Sequence, residues 1–374
     1  MISLGASAGR LCAIASLLAF IAGLGCNQAS HEPPRVSTPS EGLVFTRFSQ
    51  ATGRDLFRAR IADGRVWHLL ETSQKLESNP HWVPSILRVV YETRSVSDPK
   101  ETPRLMAHDP LQGTQANVIE RTFLGQWDAS VSADGREIAY VFDAPEGFVP
   151  PRGVRVVVAM TAGDKMFGVV PGTAAYSSPR FSPDGDSIAV QVRPLAGGDD
   201  LWLLQAEGQR RALVRGRPWH DESPRFTRQG GSIFFSRSPS ARGGARRGAG
   251  GGAAAGDVCR VHVETLRVDC PVASDDAREH SAEPSPMRDE IVFVRDGKAG
   301  SMLLLAGLDG ENERPLTDTP ALSVRNLTWS PDGERIAYVD GSDAAPRVVV
   351  VDRQGAVLFE TPGEQPAWAP PPLE

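Results

Sequence analysis

Residues 181–190 read Phe181-Ser182-Pro183-Asp184-Gly185-Asp186-Ser187-Ile188-Ala189-Val190, and residues 329–338 repeat the pattern as Trp329-Ser330-Pro331-Asp332-Gly333-Glu334-Arg335-Ile336-Ala337-Tyr338. Each copy reads as a strand end, a tight turn and the start of a second strand. Pro presets φ at the first corner, Asp accepts from nearby backbone N–H groups, and Gly takes the positive φ that other residues resist. A degenerate copy is Val131-Ser132-Ala133-Asp134-Gly135, followed by Ile138-Ala139-Tyr140.

Outward from these copies, the second half of the pattern recurs alone. An aliphatic residue, any residue and then usually an aromatic appear as Leu43-Val44-Phe45, Val89-Val90-Tyr91, Ile138-Ala139-Tyr140, Ile188-Ala189-Val190, Ile233-Phe234-Phe235, Ile291-Val292-Phe293 and Ile336-Ala337-Tyr338. Their first residues lie 46, 49, 50, 45, 58 and 45 apart. A period near 45 with β-type composition marks propeller blades of about four strands each. The predicted fold is therefore all-β, a seven-bladed β-propeller over residues 41–370, with six or eight blades if one repeat is irregular. Third strands are expected at Arg155–Ala159, Leu201–Leu204 and Arg347–Val351. Polar turns such as Asp63-Gly64, Asp309-Gly310 and Gln354-Gly355 lead to fourth strands. The long fifth interval holds Ser238–Gly256, SPSARGGARRGAGGGAAAG, which lacks apolar periodicity and is expected to be disordered. Arg242, Arg246 and Arg247 fit either a basic contact loop or a tolerated surface insertion.

The two ends of the repeat region complement each other. It begins at Leu43–Thr46 with the second strand of a blade and no first strand before it. Near the end, Gln365-Pro366-Ala367-Trp368-Ala369-Pro370 matches Asn79-Pro80-His81-Trp82-Val83-Pro84, which opens the second repeat. The C-terminal strand is expected to complete the first blade, removing an exposed sheet edge.

The first 26 residues read as a targeting segment. Arg10 is the only charge, and Leu11 to Gly25 is an apolar run too short to span a bilayer comfortably. The run ends in Gly23-Leu24-Gly25-Cys26, which resembles a bacterial lipobox, although Gly23 stands where an aliphatic residue is usual. The expected organisation is a lipoprotein signal peptide over 1–25, lipid on Cys26, a Pro-rich tether to residue 40 and then the propeller. An ordinary signal cut near Ala29, or an uncleaved anchor, is the alternative. Asn27 rather than Asp after the cysteine favours, by resemblance to lipoproteins, the periplasmic face of the outer membrane. Export leaves Cys259 and Cys270 as the only cysteine pair in the mature domain, in a compartment where disulfides persist. The segment Val258–Val272 reads as a hairpin turning at Glu264-Thr265. Residues whose numbers sum to 529 then face each other, and Cys259 and Cys270 are predicted to pair.

The FSPDG and WSPDG turns followed by IAV or IAY resemble the TolB-type propeller repeat, also seen in propeller domains of prolyl-oligopeptidase-like enzymes. The resemblance covers residues 41–370. It implies an envelope propeller that binds other proteins. TolB itself has a six-bladed propeller behind a small α/β domain, whereas this sequence shows seven repeats beginning soon after Cys26 and is not an orthologous TolB.

Chemistry-bearing motifs are scarce. There is no Gly-x-Ser-x-Gly elbow and no His-Glu-x-x-His, and the seven His (31, 68, 81, 108, 220, 262 and 280) lack metal-ligand spacing. Turn geometry accounts for Asp134, Asp184 and Asp332, and blade packing for Trp82, Trp329 and Trp368. No catalytic residue, metal or cofactor is assigned. The formal charge of −6, from 40 basic and 46 acidic residues, gives no basic footprint for nucleic acid. The function expected is non-catalytic binding of an envelope or peptidoglycan-associated partner by a monomer that touches the membrane through its lipid alone. The alternative is a propeller enzyme of lactonase, lyase or glycosidase type with a channel-built site, and sensing of a small ligand or ion is a third reading. First strands line a propeller's channel, so Glu77, Asp221, Glu222, Glu283 and Glu364, near their starts, are expected to gather at one mouth. There they would attract a cation or a basic peptide segment.

Overall fold

The computed structural model describes residues 41–369 except 99, 119–124, 144–151, 159–163, 169, 171–172, 196–197, 206–207, 217, 241–255 and 319. The signal peptide, Cys26, the tether and most of the Ser238–Gly256 insertion lie outside the described residues.

Among the described residues the regular structure is all β, and no helix is long and apolar enough to cross a membrane. The fold is a β-propeller. Five blades stand as separate antiparallel four-stranded sheets, built from Gly125–Gly168, Thr173–Val214, Trp219–Val272, Arg278–Pro315 and Val324–Pro362. The expectation of seven blades is corrected here: five stand as separate sheets, and the first two repeats share one eight-stranded sheet. The link is a short parallel contact, Gly53 beside Lys75 and Arg54 beside Leu76. Glycine makes it possible. Gly53 sits at φ 112°, and a Cβ there would lie 2.0 Å from the Lys75 carbonyl oxygen.

The C-terminal strand Glu364–Ala369 pairs antiparallel with Gly42–Ser49, placing Leu43 opposite Trp368 and Val44 opposite Ala367. The first strand group is thus completed from the far end of the chain. The recurring aliphatic–aromatic triplets are the second strands, and all three residues of Ile188-Ala189-Val190 are fully buried. They form the cores between repeats: Ala139, Val141, Val154 and Val156 pack on Ile188 and Val190 of the next sheet. The third strands are Arg152–Val158, Asp200–Gln205 and Arg347–Asp352, close to their expected bounds.

The turns behave as their chemistry requires. Asp184 accepts from the Ser182 hydroxyl (2.5 Å) and the Asp186 N–H (3.1 Å). Asp332 repeats this with Ser330 and Glu334, and Asp134 with Ser132 and Arg136. The serine adds a contact that the repeat pattern did not suggest, because its oxygen also accepts the N–H five residues on, as Ser182 does from Ser187. Gly185 has φ 82° and Gly333 φ 69°.

Cys259 and Cys270 form a disulfide between Asp257–His262 and Val268–Val272. The numbering rule holds near the turn, with Arg260 opposite Asp269 and Val261 opposite Val268. A bulge beside Cys259 then shifts the register, and Val258 faces Val272.

Candidate functional site

Seven first strands surround one cavity: Lys75–Val83, Gly125–Val131, Thr173–Phe181, Trp219–Phe226, Arg278–Pro284, Val324–Trp329 and Glu364–Ala369. Each carries an irregularity at the same place. The register slips between Ser78 and His81, Trp127 and Ser130, Ser177 and Arg180, Glu222 and Arg225, His280 and Glu283, and Arg325 and Thr328. On the closing strand it slips where Val44 and Thr46 face Ala367 and Glu364. One extra residue is inserted each time, a β-bulge. At every bulge one residue adopts positive φ: Asn79 (47°), Asp128 (55°), Ser178 (51°), Ser223 (58°), Ser281 (56°), Asn326 (53°) and Gln365 (52°). Short polar side chains tolerate this region by bonding locally. In Asn79-Pro80, Ser178-Pro179, Ser223-Pro224 and Gln365-Pro366 the following proline also disfavours the right-handed helical alternative.

The bulges sit at the junctions between repeats. The Asp128 N–H donates to Glu92 (2.7 Å), the Ser178 N–H to Asp128 (2.5 Å), the Ser281 N–H to Ser236 (3.0 Å) and the Asn79 N–H to Gln365 (3.1 Å). Each acceptor belongs to the preceding repeat, so the irregular backbone is also the seam.

The residue two past each bulge lines the cavity: His81, Ser130, Arg180, Arg225, Glu283, Thr328 and Ala367. The cavity holds about 580 Å³, within the usual range for ligand-binding clefts. One arc is charged. Arg225 pairs with Glu283, and Arg180 lies 3.8 Å from Asp128. Both guanidinium groups also donate to a proline carbonyl, Pro179 at 2.7 Å and Pro224 at 3.0 Å. Burial, and then the charge of Arg225, lower the Arg180 pKa to about 10. Burial, and then the charge of Arg180, lower His81 to about 4, so its imidazole is neutral at pH 7. The lining also includes Trp82, Trp329 and Trp368. Trp329 and Trp368 also tie repeats together, donating to the carbonyls of Glu283 (2.8 Å) and Thr328 (3.3 Å).

The five acidic residues expected at one mouth occupy three different repeat positions, because the bulge interrupts the alternation of side chains along the strand. Glu283 lies two past the bulge and lines the cavity. Glu222 and Glu364 lie one before it. Glu222 is 3.6 Å from Arg278, and Glu364 pairs with Arg54 (3.2 Å) and Arg325 (3.4 Å). Glu77 and Asp221 lie two before it and are buried, Asp221 accepting from Arg237 at 2.7 and 3.0 Å. Glu279 shares their position and was missed. His81, Arg180, Arg225 and Asp128 were missed as cavity residues as well. Aligning the seven first strands on their Asn, Asp, Ser or Gln before Pro, Ala or Leu would have found them.

A structure from an analysis of two prolyl endopeptidases matches with a TM-score of 0.65 and 14% identity, over 87% of this chain and 49% of that one. A puromycin hydrolase matches with a TM-score of 0.64 and 17% identity, over 89% and 53%. This chain thus spans about half the length of either. TolB from Acinetobacter baumannii matches with a TM-score of 0.53 and 16% identity, over 88% of this chain and 83% of that one. At such identities the likeness concerns the fold alone. The family model described as TolB beta propeller domain matches residues 86–370, and the chain belongs to that family.

Proposed function

We propose that this protein is a non-catalytic binding or scaffold propeller of the cell envelope, and that its central cavity docks a segment of a protein partner. The reading counts seven blades, the eight-stranded sheet being two four-stranded groups joined by two residue pairs. The observation that carries it is the cavity. Seven equivalent strands bring Arg180, Arg225, Glu283 and Trp82 to one cavity, while Trp329 and Trp368, also along its lining, are largely buried in the cores between repeats. Aromatic and arginine side chains in a concave, largely desolvated site are the usual anchors of protein recognition. Glu283, Glu222 and Glu364 are the acidic contacts proposed, while Glu77 and Asp221 are buried and left out. The reading also takes residues 1–25 as a lipoprotein signal peptide, Cys26 as the lipid attachment site, residues 26–40 as a tether and 41–370 as the propeller, on the periplasmic face of the outer membrane. Membership of the TolB propeller family supports export. An enzyme with a channel-built site of lactonase, lyase or glycosidase type is not favoured. The resemblances to peptidase and hydrolase structures cover about half of those chains, at 14% and 17% identity.

The test is a crosslinking pull-down from envelope fractions with the wild-type chain and with Arg180→Ala/Glu283→Gln. The double variant is expected to lose a partner that the wild type captures. Undiminished capture by a folded double variant would overturn the cavity assignment.

A further inference from the structure

Three repeats place a carboxylate two residues before the bulge: Glu77, Asp221 and Glu279, each at most 1% exposed. A buried carboxylate is costly unless it is paired, and two of the three meet the cost in the same way. In the strand pairing, Asp221 stands opposite Arg237 and Glu279 opposite Arg295. Both are ion pairs with a closest approach of 2.7 Å. The residue opposite Glu77 is Thr93. Among the described residues, the position that holds Arg237 or Arg295 at the other two junctions holds Thr93 at this one.

A second buried acid lies nearby. Asp55, 1% exposed, shares Thr72 with Glu77. The Thr72 N–H donates to Asp55 Oδ1 at 3.3 Å, and the Thr72 hydroxyl donates to Glu77 Oε1. The Thr52 hydroxyl donates to Asp55 Oδ2 at 2.6 Å. Among the described residues, Glu77 Oε2 is buried and has no hydrogen-bond partner, as is true of Glu279 Oε2, but Glu279 has Arg295 on its other oxygen whereas Glu77 has only the Thr72 hydroxyl. Arg47, opposite Asp55, is instead committed to Thr361 and the Pro362 carbonyl.

We propose that Asp55 and Glu77, with the hydroxyls of Thr52 and Thr72, form a binding site for one calcium ion at the junction of the first two repeats. The donors are all oxygen, which suits a hard cation, and calcium accepts irregular oxygen cages more readily than magnesium does. Two carboxylates neutralise its charge. Each threonine oxygen keeps a lone pair free while its proton is given to a carboxylate. The site lies where Gly53 and Arg54 run beside Lys75 and Leu76, so the ion would clamp the contact that fuses the two repeats. The inference is independent of what the central cavity binds.

The test measures calcium binding by equilibrium dialysis, and melting with and without calcium, on chelator-treated full-length chain. The wild type is expected to bind one ion per chain and to melt about 4 °C higher when calcium is a hundredfold above Kd. Thr93→Arg supplies the guanidinium that the equivalent junctions already have, and is expected to fold with neither the binding nor the shift. Glu77→Gln, which keeps the side-chain volume, is expected to lose the binding as well. No calcium bound by the wild type at millimolar concentration, or binding equal to wild type in Thr93→Arg and Glu77→Gln, would overturn the proposal.

Discussion

Gln365 accepts the backbone N–H of Asn79 at 3.1 Å, joining residues 286 apart in sequence across the ring closure. The same oxygen is 3.2 Å from the Thr46 hydroxyl. Gln365→Ala leaves a part-buried amide without its acceptor, a cost of about 1–3 kcal/mol. Urea denaturation is expected to show a lower midpoint with an unchanged slope. A midpoint equal to wild type would mean that the closing strand is held by Trp368 and the strand ladder alone.

The contribution of Trp368 itself is expected to be larger. It is 7% exposed and packs among Leu43, Phe45 and Phe359. Trp368→Ala removes that surface and leaves a void, for about 3–5 kcal/mol. Trp368→Phe, keeping most of the volume, is expected to recover more than half of the loss in the same denaturation series.

His81 carries a pH dependence whose sign follows from its lowered pKa. Its folded value of about 4 lies below the unfolded value of about 6.5, so the folded chain binds fewer protons between the two. Stability is therefore complete above pH 6.5 and falls as pH drops through that window, by up to about 3 kcal/mol. His81→Gln is expected to flatten this part of the stability–pH curve. An NMR titration placing the imidazole midpoint near 6.5 in the folded protein would contradict the burial argument.

Reduction of Cys259–Cys270 reopens a loop with a sequence separation of 11. The expected loss is about 2–3 kcal/mol, and the double variant Cys259→Ala/Cys270→Ala should melt lower by a similar amount whether or not reductant is present. A wild-type melting point insensitive to reductant, with the thiols shown to be free, would sink this expectation.

The lipid reading has a cellular test. Cys26→Ala is expected to shift the protein from the membrane pellet to the soluble envelope fraction, since lipid is the proposed attachment. Retention of the variant in the pellet at the wild-type level would remove Cys26 from that role.

The sequence by itself determined the β-propeller, its repeat period, the turn chemistry at Asp184 and Asp332, the closing strand at Gln365–Ala369 and the cysteine pair. All of these are local or periodic. A turn type follows from Pro, Asp and Gly, and a strand period follows from which residues avoid water. Tertiary structure alone decided where a side chain points after a bulge. Glu77 and Glu283 both looked like strand entries, but one extra residue at Asn79 or Ser281 separates a buried position from a cavity-lining one. Tertiary structure also decided that the first two repeats share a sheet, because only the fold brings Gly53 against Lys75. The residue opposite Glu77 is of the same kind. Thr93 is unremarkable in sequence, and its meaning appears only when the strand register sets it beside Arg237 and Arg295 as the member of the set that carries no charge.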